Sequence, residues 1–313
     1  MKQNLNLLIY LNKISENWIV DRTKKEWLQN NKPISTRLSL RSNIIWLIAP
    51  WNWRNVNLDL LKRKKTVCSI YHIDNEKFNE EEKNEFYYRD KYVDEYHVIS
   101  KNTENQLKKL TEKKITTIPF WVNNDIWFEI REKKELRKKY NLDNKKFYIG
   151  SFQRDSEGND LTKPKLSKGP DRFVEIVSNY MERQTNIHVI ITGKRRNYLI
   201  NEFESRNIEY TYFEMVDYKM LNELYNCLDL YIVSSRYEGG PQAIVECGVT
   251  KTPIISTNVG VAPEILSSES IFDMDNFLTA KPNIEVAYEN SMKLSKEKIF
   301  PKYIEMFRLL NES

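Results

Sequence analysis

Ser234–Gly248, SSRYEGGPQAIVECG, sets one glutamate ahead of a Gly-Gly-Pro turn and a second one eight positions later, inside a helical stretch. Gly239 and Gly240 open backbone conformations closed to other residues, and Pro241 suits a first helical position, where its missing N–H has no intrahelical partner to lose. The helix is therefore expected to begin near Pro241. Upstream, LDLYIVSS alternates and is β-branched, so the unit reads strand, glycine turn, helix: the arrangement in which the free first-turn N–H groups, here those of Gln242, Ala243 and Ile244, face an anion. Glu246 lies about 40° round the helix from Gln242 and leans toward the N-terminus. A carboxylate has no use for a phosphate; its natural partner at that turn is a pair of hydroxyls, such as a ribose. Taken alone, Gly-Gly-Pro is most simply a surface turn, and the context has to decide.

That context is a succession of strands and helices in two blocks. Asn4–Leu11, Asn43–Ile48, Lys65–Tyr71, Val93–Ser100 and Ile115–Ile118 read as strands, with helices over Asn17–Gln29 and Thr103–Lys109. Asn124–Lys146 is dominated by charge and reads as a linker or peripheral helix. A second block follows: strands at Phe147–Phe152, Ile187–Thr192, Asp229–Ser234 and Pro253–Ser256, helices at Asp171–Met181, Met220–Asn226 and from Pro241. Such alternation predicts two α/β domains with parallel sheets, whose ligands collect at the carboxyl ends of the strands. In the second block those ends carry QRDSEGNDLTKPKLSKG with Arg154, Lys165 and Lys168, then Gly193-Lys194, then the glutamate and glycine turn, then Asn258-Val259-Gly260. Four strand ends with glycine, basic groups and a helix start describe a pocket for a phosphorylated ligand.

A chain of 313 residues, 40% hydrophobic and 12% aromatic, can build two cores. The opening MKQNLNLLIYLNK has no cleavage-site pattern, and no stretch approaches the roughly 18 apolar residues of a membrane span, so neither a signal peptide nor a span is expected. Cys68, Cys227 and Cys247 are scattered among apolar neighbours, the pattern of buried thiols in a reducing compartment, with the cytoplasm as default. The formal charge of +5 is uneven: residues 1–144 hold 28 Lys+Arg against 20 Asp+Glu, and the rest 21 against 24. Runs such as Lys62-Arg63-Lys64-Lys65 suit an anionic membrane surface or a charged acceptor, although a Lys- and Asn-rich composition alone supplies many solvated lysines. No recognition helix or aromatic platform speaks for nucleic acid.

EGGPQAIVE resembles the E-x7-E motif of retaining glycosyltransferases of the GT-B fold, glycosyltransferase family 4. In the expected order, GSFQRD…KLSKG resembles that family's diphosphate loop, YNCLDLYIVSSRYEGGP its "ly..aD..v.pS..Eg.p" segment, and TKTPIISTNVGVAPEIL its "g.Pvi.t..gg..E.i" segment, over about residues 148–266. IYHID resembles the active-site histidine segment. The resemblance implies two Rossmann-like domains whose parallel sheets face a central cleft: an acceptor domain over about 1–130, shortened for the family, and a nucleotide-sugar domain over about 146–290, with a last helix at about 296–313 crossing back to the first. It implies metal-independent hexosyl transfer with retention and no cofactor beyond the nucleotide-sugar donor, to a glycan, lipid-linked or protein acceptor. His72, Glu238 and Lys168 are the implied catalytic residues. Arg154, Lys165, Lys168, Gly239, Gly240, Gln242, Ala243 and Glu246 are the implied donor contacts, the arginine and lysines on the diphosphate and Glu246 on the ribose. Ser151 stands where the family carries its loop arginine, so Lys165 competes with Arg154 for that role, and LNKISENW replaces the usual glycine-rich loop after the first strand. A sugar-nucleotide epimerase or a non-catalytic nucleotide-sugar or glycan binder are the rival readings. His97 and His188 alternate within strands and read as structural; Asp273-Met274-Asp275 reads as a loop, not a metal-binding DxD.

Overall fold

The computed structural model describes residues 7–13, 19–74, 78–159 and 161–313. The chain divides into two compact units, 1–119 with 299–313, and 120–298. The first holds β1 (Ile9–Leu11), β2 (Ser35–Thr36), β3 (Ile44–Leu47), β4 (Lys65–Ile70), β5 (Glu95–Val98) and β6 (Lys114–Thr117) in one parallel sheet of order β2-β1-β3-β4-β5-β6. β3 and β5 are buried throughout, the continuous burial expected of strands covered on both faces. Asn4–Asn6 of the expected first strand, Asn17 and Trp18 of the expected first helix, and most of LNKISENW fall outside the described residues; the helix itself runs Ile19–Asn30.

The second unit repeats the plan. β7 (Phe147–Ser151), β10 (Ile187–Thr192), β11 (Tyr210–Phe213), β12 (Leu230–Val233), β13 (Ile254–Thr257) and β14 (Ile271–Phe272) form a parallel sheet of order β11-β10-β7-β12-β13-β14, and β8 (Ser156–Glu157) and β9 (Lys163–Pro164) make a small antiparallel hairpin between β7 and β10 in sequence. Its core is aliphatic, with Ile149, Val177, Val189, Ile191, Ile232 and Ile255 packed around Phe173 and Phe203. The chain leaves β7 toward β10 on one side but leaves β12 toward β13 on the other. The connections thus diverge between β7 and β12, which opens a crevice at the carboxyl ends of those two strands.

One boundary differs from the sequence reading. Residues 120–130, read as the end of the first domain, belong to the second unit: Val122 N donates to Leu294 O at 2.8 Å, and Asn222 and Asn226 side chains accept from Phe128 N and Ile130 N at 3.1 and 2.7 Å. Of the two readings of the charged stretch beyond, linker or peripheral helix, the structure has the helix. Its helix, Lys133–Lys139, is fixed by Arg137, which donates to Cys227 O at 3.0 and 2.8 Å and to Asp229 at 2.5 Å. Charge alone hid this, because the partners lie about ninety residues away. The helix Lys296–Glu312 joins the first unit from Ile299 onward.

Candidate functional site

The crevice is assembled from the loops that follow β7 and β12. Gly169, at φ 61, caps the helix Pro170–Arg183, and a Cβ there would fall 1.9 Å from Ser234 O. Only glycine permits that approach. Ser234 Oγ donates to Gly169 O at 2.8 Å, and Arg236 N and Tyr237 N donate to Ser167 O at 2.9 and 3.1 Å, so the KLSKG and SSRYE segments are laced together by backbone groups. A bidentate bond from Arg236 to Asp171, 2.7 and 2.6 Å, adds to the lacing.

Its consequence is that Lys168 meets Glu238. The Lys168 ammonium donates to Glu238 Oε1, Ser235 Oγ lies 3.3 Å from the same oxygen, and Gln153 Nε2 donates to Lys168 O at 3.0 Å. Ser235 and Gln153 escaped the sequence reading; their position directly after β12 and β7 was the available signal. The third strand closes the floor. Thr257 Oγ1 donates to Ser235 O at 2.6 Å, and Gly260, at φ 50, lies so close under Gly239 that a Cβ on it would fall 2.4 Å from Gly239 O.

The glycine pair works differently from expectation. The left-handed glycines around the site are Gly169 and Gly260, not Gly239 or Gly240. Pro241 is likewise not the first helical residue: at ψ 111 it caps a helix running Gln242–Thr250. The shift is one residue, and it leaves Gln242 and Ala243, both half-buried, as the first helical positions. Glu246 follows one turn in, 5% exposed, with Tyr225 Oη donating to Oε2 at 2.9 Å. Burial, and then the Glu246 charge, raise the Tyr225 pKa well above its ordinary value, so the phenol stays a donor.

The remaining expected residues are dispersed. Arg154, on the β7 loop, is exposed and its Nε donates to Ser156 O at 2.9 Å; burial of part of the group and the neighbouring Arg195 charge lower its pKa. Lys165 N donates to Asp155 O at 2.7 Å, which anchors its backbone to the same loop. His72 lies two residues beyond the end of β4, exposed, in the first unit.

Beneath the β7 loop lies a pair that the sequence did not reveal. Arg196 and Asp155 are 0% and 3% exposed in their side chains, and Nε stands 2.7 Å from Oδ2 without hydrogen-bond alignment. The Arg196 guanidinium also donates to the carbonyls of Ser151 at 2.8 Å and Gln153, while Asp155 N and Ser156 N donate to Arg195 O at 3.3 and 3.1 Å. Burial raises the Asp155 pKa against the opposing Arg196 charge, and burial lowers that of Arg196. The pair ties the end of β7, and with it Gln153, to the turn after β10.

The other candidates resolve as structural. His97 is buried, 2.8 Å from Ser69 Oγ and 2.8 Å from Ile118 O, and His188 Nε2 pairs with Thr211 Oγ1 at 2.8 Å. Asp273 spends a carboxylate oxygen on Asp275 N at 3.0 Å, within its own turn. Among the described residues no group of three or more His, Cys, Asp or Glu is placed to hold a metal ion, and no helix is long and apolar enough to cross a membrane. The three cysteines are buried and free.

Comparison with known proteins gives this geometry its relatives. A search of curated proteins finds no match. Among solved structures, Anabaena Alr3699/HepE, in complex with UDP and glucose, superposes with a TM-score of 0.74 at 11% identity, over 96% of this chain and 98% of that one. Sucrose-phosphate synthase from Thermosynechococcus elongatus gives 0.68 at 14% identity, over 96% and 80%, and a glycosyltransferase from Rickettsia africae gives 0.62 at 17%, over 96% and 83%. At such identities the likeness is one of fold: the GT-B type, α/β with two parallel six-stranded sheets. The model of the family described as glycosyl transferases group 1 matches residues 132–306, more than half of the chain and every element of the crevice, and this protein belongs to that family.

Proposed function

We propose that the protein is a retaining, metal-independent hexosyltransferase of the family-4 type, and that its second unit binds the nucleoside-diphosphate sugar in the β7–β12 crevice. The observation that carries this reading is the convergence of Lys168 and Glu238 at that crevice, beside a helix start and one turn ahead of the buried Glu246. HepE, which shares the fold, binds UDP and UDP-glucose, and that supports a nucleotide-sugar as the donor here.

The roles follow from charge. Departure of the nucleoside diphosphate builds negative charge on the β-phosphate; Lys168 Nζ and the N–H groups of Gln242 and Ala243 lie on the elements that can meet it without reorganisation. In the free protein Lys168 is held by Glu238, so the ammonium is already oriented when the donor arrives. Glu238, with the amides of Gly239 and Gly240, takes hydroxyls of the sugar and stabilises positive character at the anomeric carbon. Glu246 takes the ribose hydroxyls. Arg154 and Lys165 supply further positive charge from the β7 loop. The first unit takes the acceptor, a glycan, lipid-linked or protein hydroxyl, with His72 at the reacting end. Three buried free thiols support a reducing, cytoplasmic setting.

The test is to incubate the protein with UDP-, GDP- and ADP-sugars and a panel of glycan acceptors, with and without excess chelator, and to read the anomeric configuration of the product by NMR. Retained configuration with activity surviving chelation is the expected result. An inverted product refutes retention. Donor consumed with no acceptor present identifies an epimerase or hydrolase, and donor bound but left intact with every acceptor identifies a binding protein.

A further inference from the structure

The connection between β2 and β3 presents a second surface, independent of the donor site. It carries Leu38 and Leu40, 55% and 77% exposed, with exposed Arg37 and Arg41 on either side. Single exposed leucines are ordinary on any protein; two on one short connection, inside a field of one charge, are not. The β3–β4 pairing starts at Ile44↔Lys65, so the segments leading into the two strands meet there. Lys64 Nζ closes the contact by donating to Leu40 O at 2.9 Å and to Ser42 O, which pins the leucine-bearing turn to the end of the helix Leu58–Arg63. Lys62 and Arg63, both exposed, thereby join the same face.

The positive charge there is not neutralised from within. Residues 32–43 and 56–65 contain one acidic residue, Asp59, which pairs with Lys62 at 3.7 Å. Among the described residues, Arg37, Arg41 and Arg63 have no ion pair and no side-chain hydrogen bond. An acidic polymer would satisfy the arginines and gain nothing from the leucines. A bilayer with anionic headgroups satisfies both, because apolar side chains gain from the headgroup–acyl boundary while guanidinium groups meet lipid phosphates.

We infer that this face of the first unit docks on an anionic lipid bilayer, with Leu38 and Leu40 entering the interface and Arg37, Arg41 and Arg63 against the headgroups. Each basic residue is worth about fivefold in partitioning and fades as salt screens it; each leucine, partly inserted, is worth on the order of tenfold.

The experiment is co-sedimentation of the full chain with phosphatidylcholine vesicles, with and without one third phosphatidylglycerol, at low and high salt. Binding is expected only to the phosphatidylglycerol vesicles and only at low salt. Leu38→Ser with Leu40→Ser should weaken it by roughly a hundredfold, as should Arg37→Gln with Arg41→Gln and Arg63→Gln, both with an unchanged melting temperature. Absence of vesicle binding, equal binding to neutral vesicles, or binding indifferent to the leucines overturns the inference; the last outcome would point to an acidic macromolecule as the partner. Donor binding is measured on the same variants with UDP and is expected not to change, so failure here leaves the donor reading standing, and failure there leaves this one.

Discussion

The two units share a plan and bury different polar groups in it. In the second unit one buried group is an ion pair, Asp155–Arg196, set under the loop that enters the crevice. In the first it is a neutral chain: Trp46 Nε1 donates to Ser69 Oγ at 2.8 Å, Ser69 donates to His97 Nδ1 at 2.8 Å, and His97 Nε2 faces Ile118 O at 2.8 Å and Tyr303 Oη at 3.0 Å. Ile118 O can only accept, so the proton sits on Nε2, and Nδ1 is left to accept from the Ser69 hydroxyl. Around it stand Trp27 and Phe307, the latter from the returning C-terminal helix, with ring centroids 5.3 and 5.2 Å from Trp46. A charged pair is costly to bury and costlier to break, and fixes strand ends rigidly; a neutral network is cheaper and joins a late segment of the chain to a sheet. The first suits a site that must hold charge in place, the second a core.

Breaking the ion pair gives the largest expected effect. Asp155→Ala leaves Arg196 buried without its counter-charge, and should cost about 3–5 kcal/mol in the stability of the second unit, read as a lowered urea midpoint. Adding Arg196→Met should restore a large part of that loss, since both charges are then gone; a double variant no better than the single one would mean that the backbone carbonyls of Ser151, Gln153 and Thr192, not Asp155, are what Arg196 is there to hold.

Next in size is Lys168→Ala, which attacks preorganised charge directly. It should lower kcat by about 10²–10³, the scale for one preorganised electrostatic contact. Full activity in this variant, or activity abolished by chelator in the wild type, would remove Lys168 from the leaving-group role.

Acid should break the first unit's network at His97. Burial pushes the His97 pKa down to about 4, below the value of about 6.5 for an unfolded histidine. The folded state holds His97 neutral while the unfolded chain takes up a proton, so this contribution is full above pH 6.5 and is lost as the pH falls toward 4, about 3 kcal/mol over that window. Urea titrations at pH 7 and 4.5 on the wild type and on His97→Gln check the sign: the wild type should lose more stability than the variant. Equal losses would mean that His97 does not carry the acid sensitivity.

These contrasts also explain what could be read in advance. The glycine, basic and glutamate pattern at four strand ends was legible because the features that make that crevice are backbone features: an approach of 1.9 Å that only Gly169 allows, a helix start, loops of fixed length. The four strands proved to be neighbours, β10-β7-β12-β13. What was hidden rests on side chains distant in sequence. Asp155 and Arg196 are two charged residues in charged loops, and nothing local marks them as buried. Gly239 and Gly240 misled for the opposite reason: a Gly-Gly-Pro reads as a left-handed turn, whereas the close contact is made by Gly260 beneath it. β2 and β14, two residues each, are too short to show a period.

The smallest expected effect separates Glu246 from the residue that orients it. Glu246→Ala removes the proposed ribose contact and should weaken UDP binding by about 1–3 kcal/mol, as a lost hydrogen bond to a charged group does. Tyr225→Phe keeps the ring, which packs 4.9 Å from Phe152 and 5.8 Å from Trp127 between centroids, and deletes only the donor to Glu246 Oε2. Its cost should be about 1 kcal/mol, and it should fall selectively. With the carboxylate no longer fixed, the preference for UDP over 2′-deoxy-UDP shrinks, while a ligand without the hydroxyl loses little. Calorimetric titration of both ligands on both variants reads the difference. If Tyr225→Phe weakens UDP and 2′-deoxy-UDP equally, Tyr225 is a packing residue, and the aromatic column, not its hydroxyl, is what supports the helix that carries Glu246.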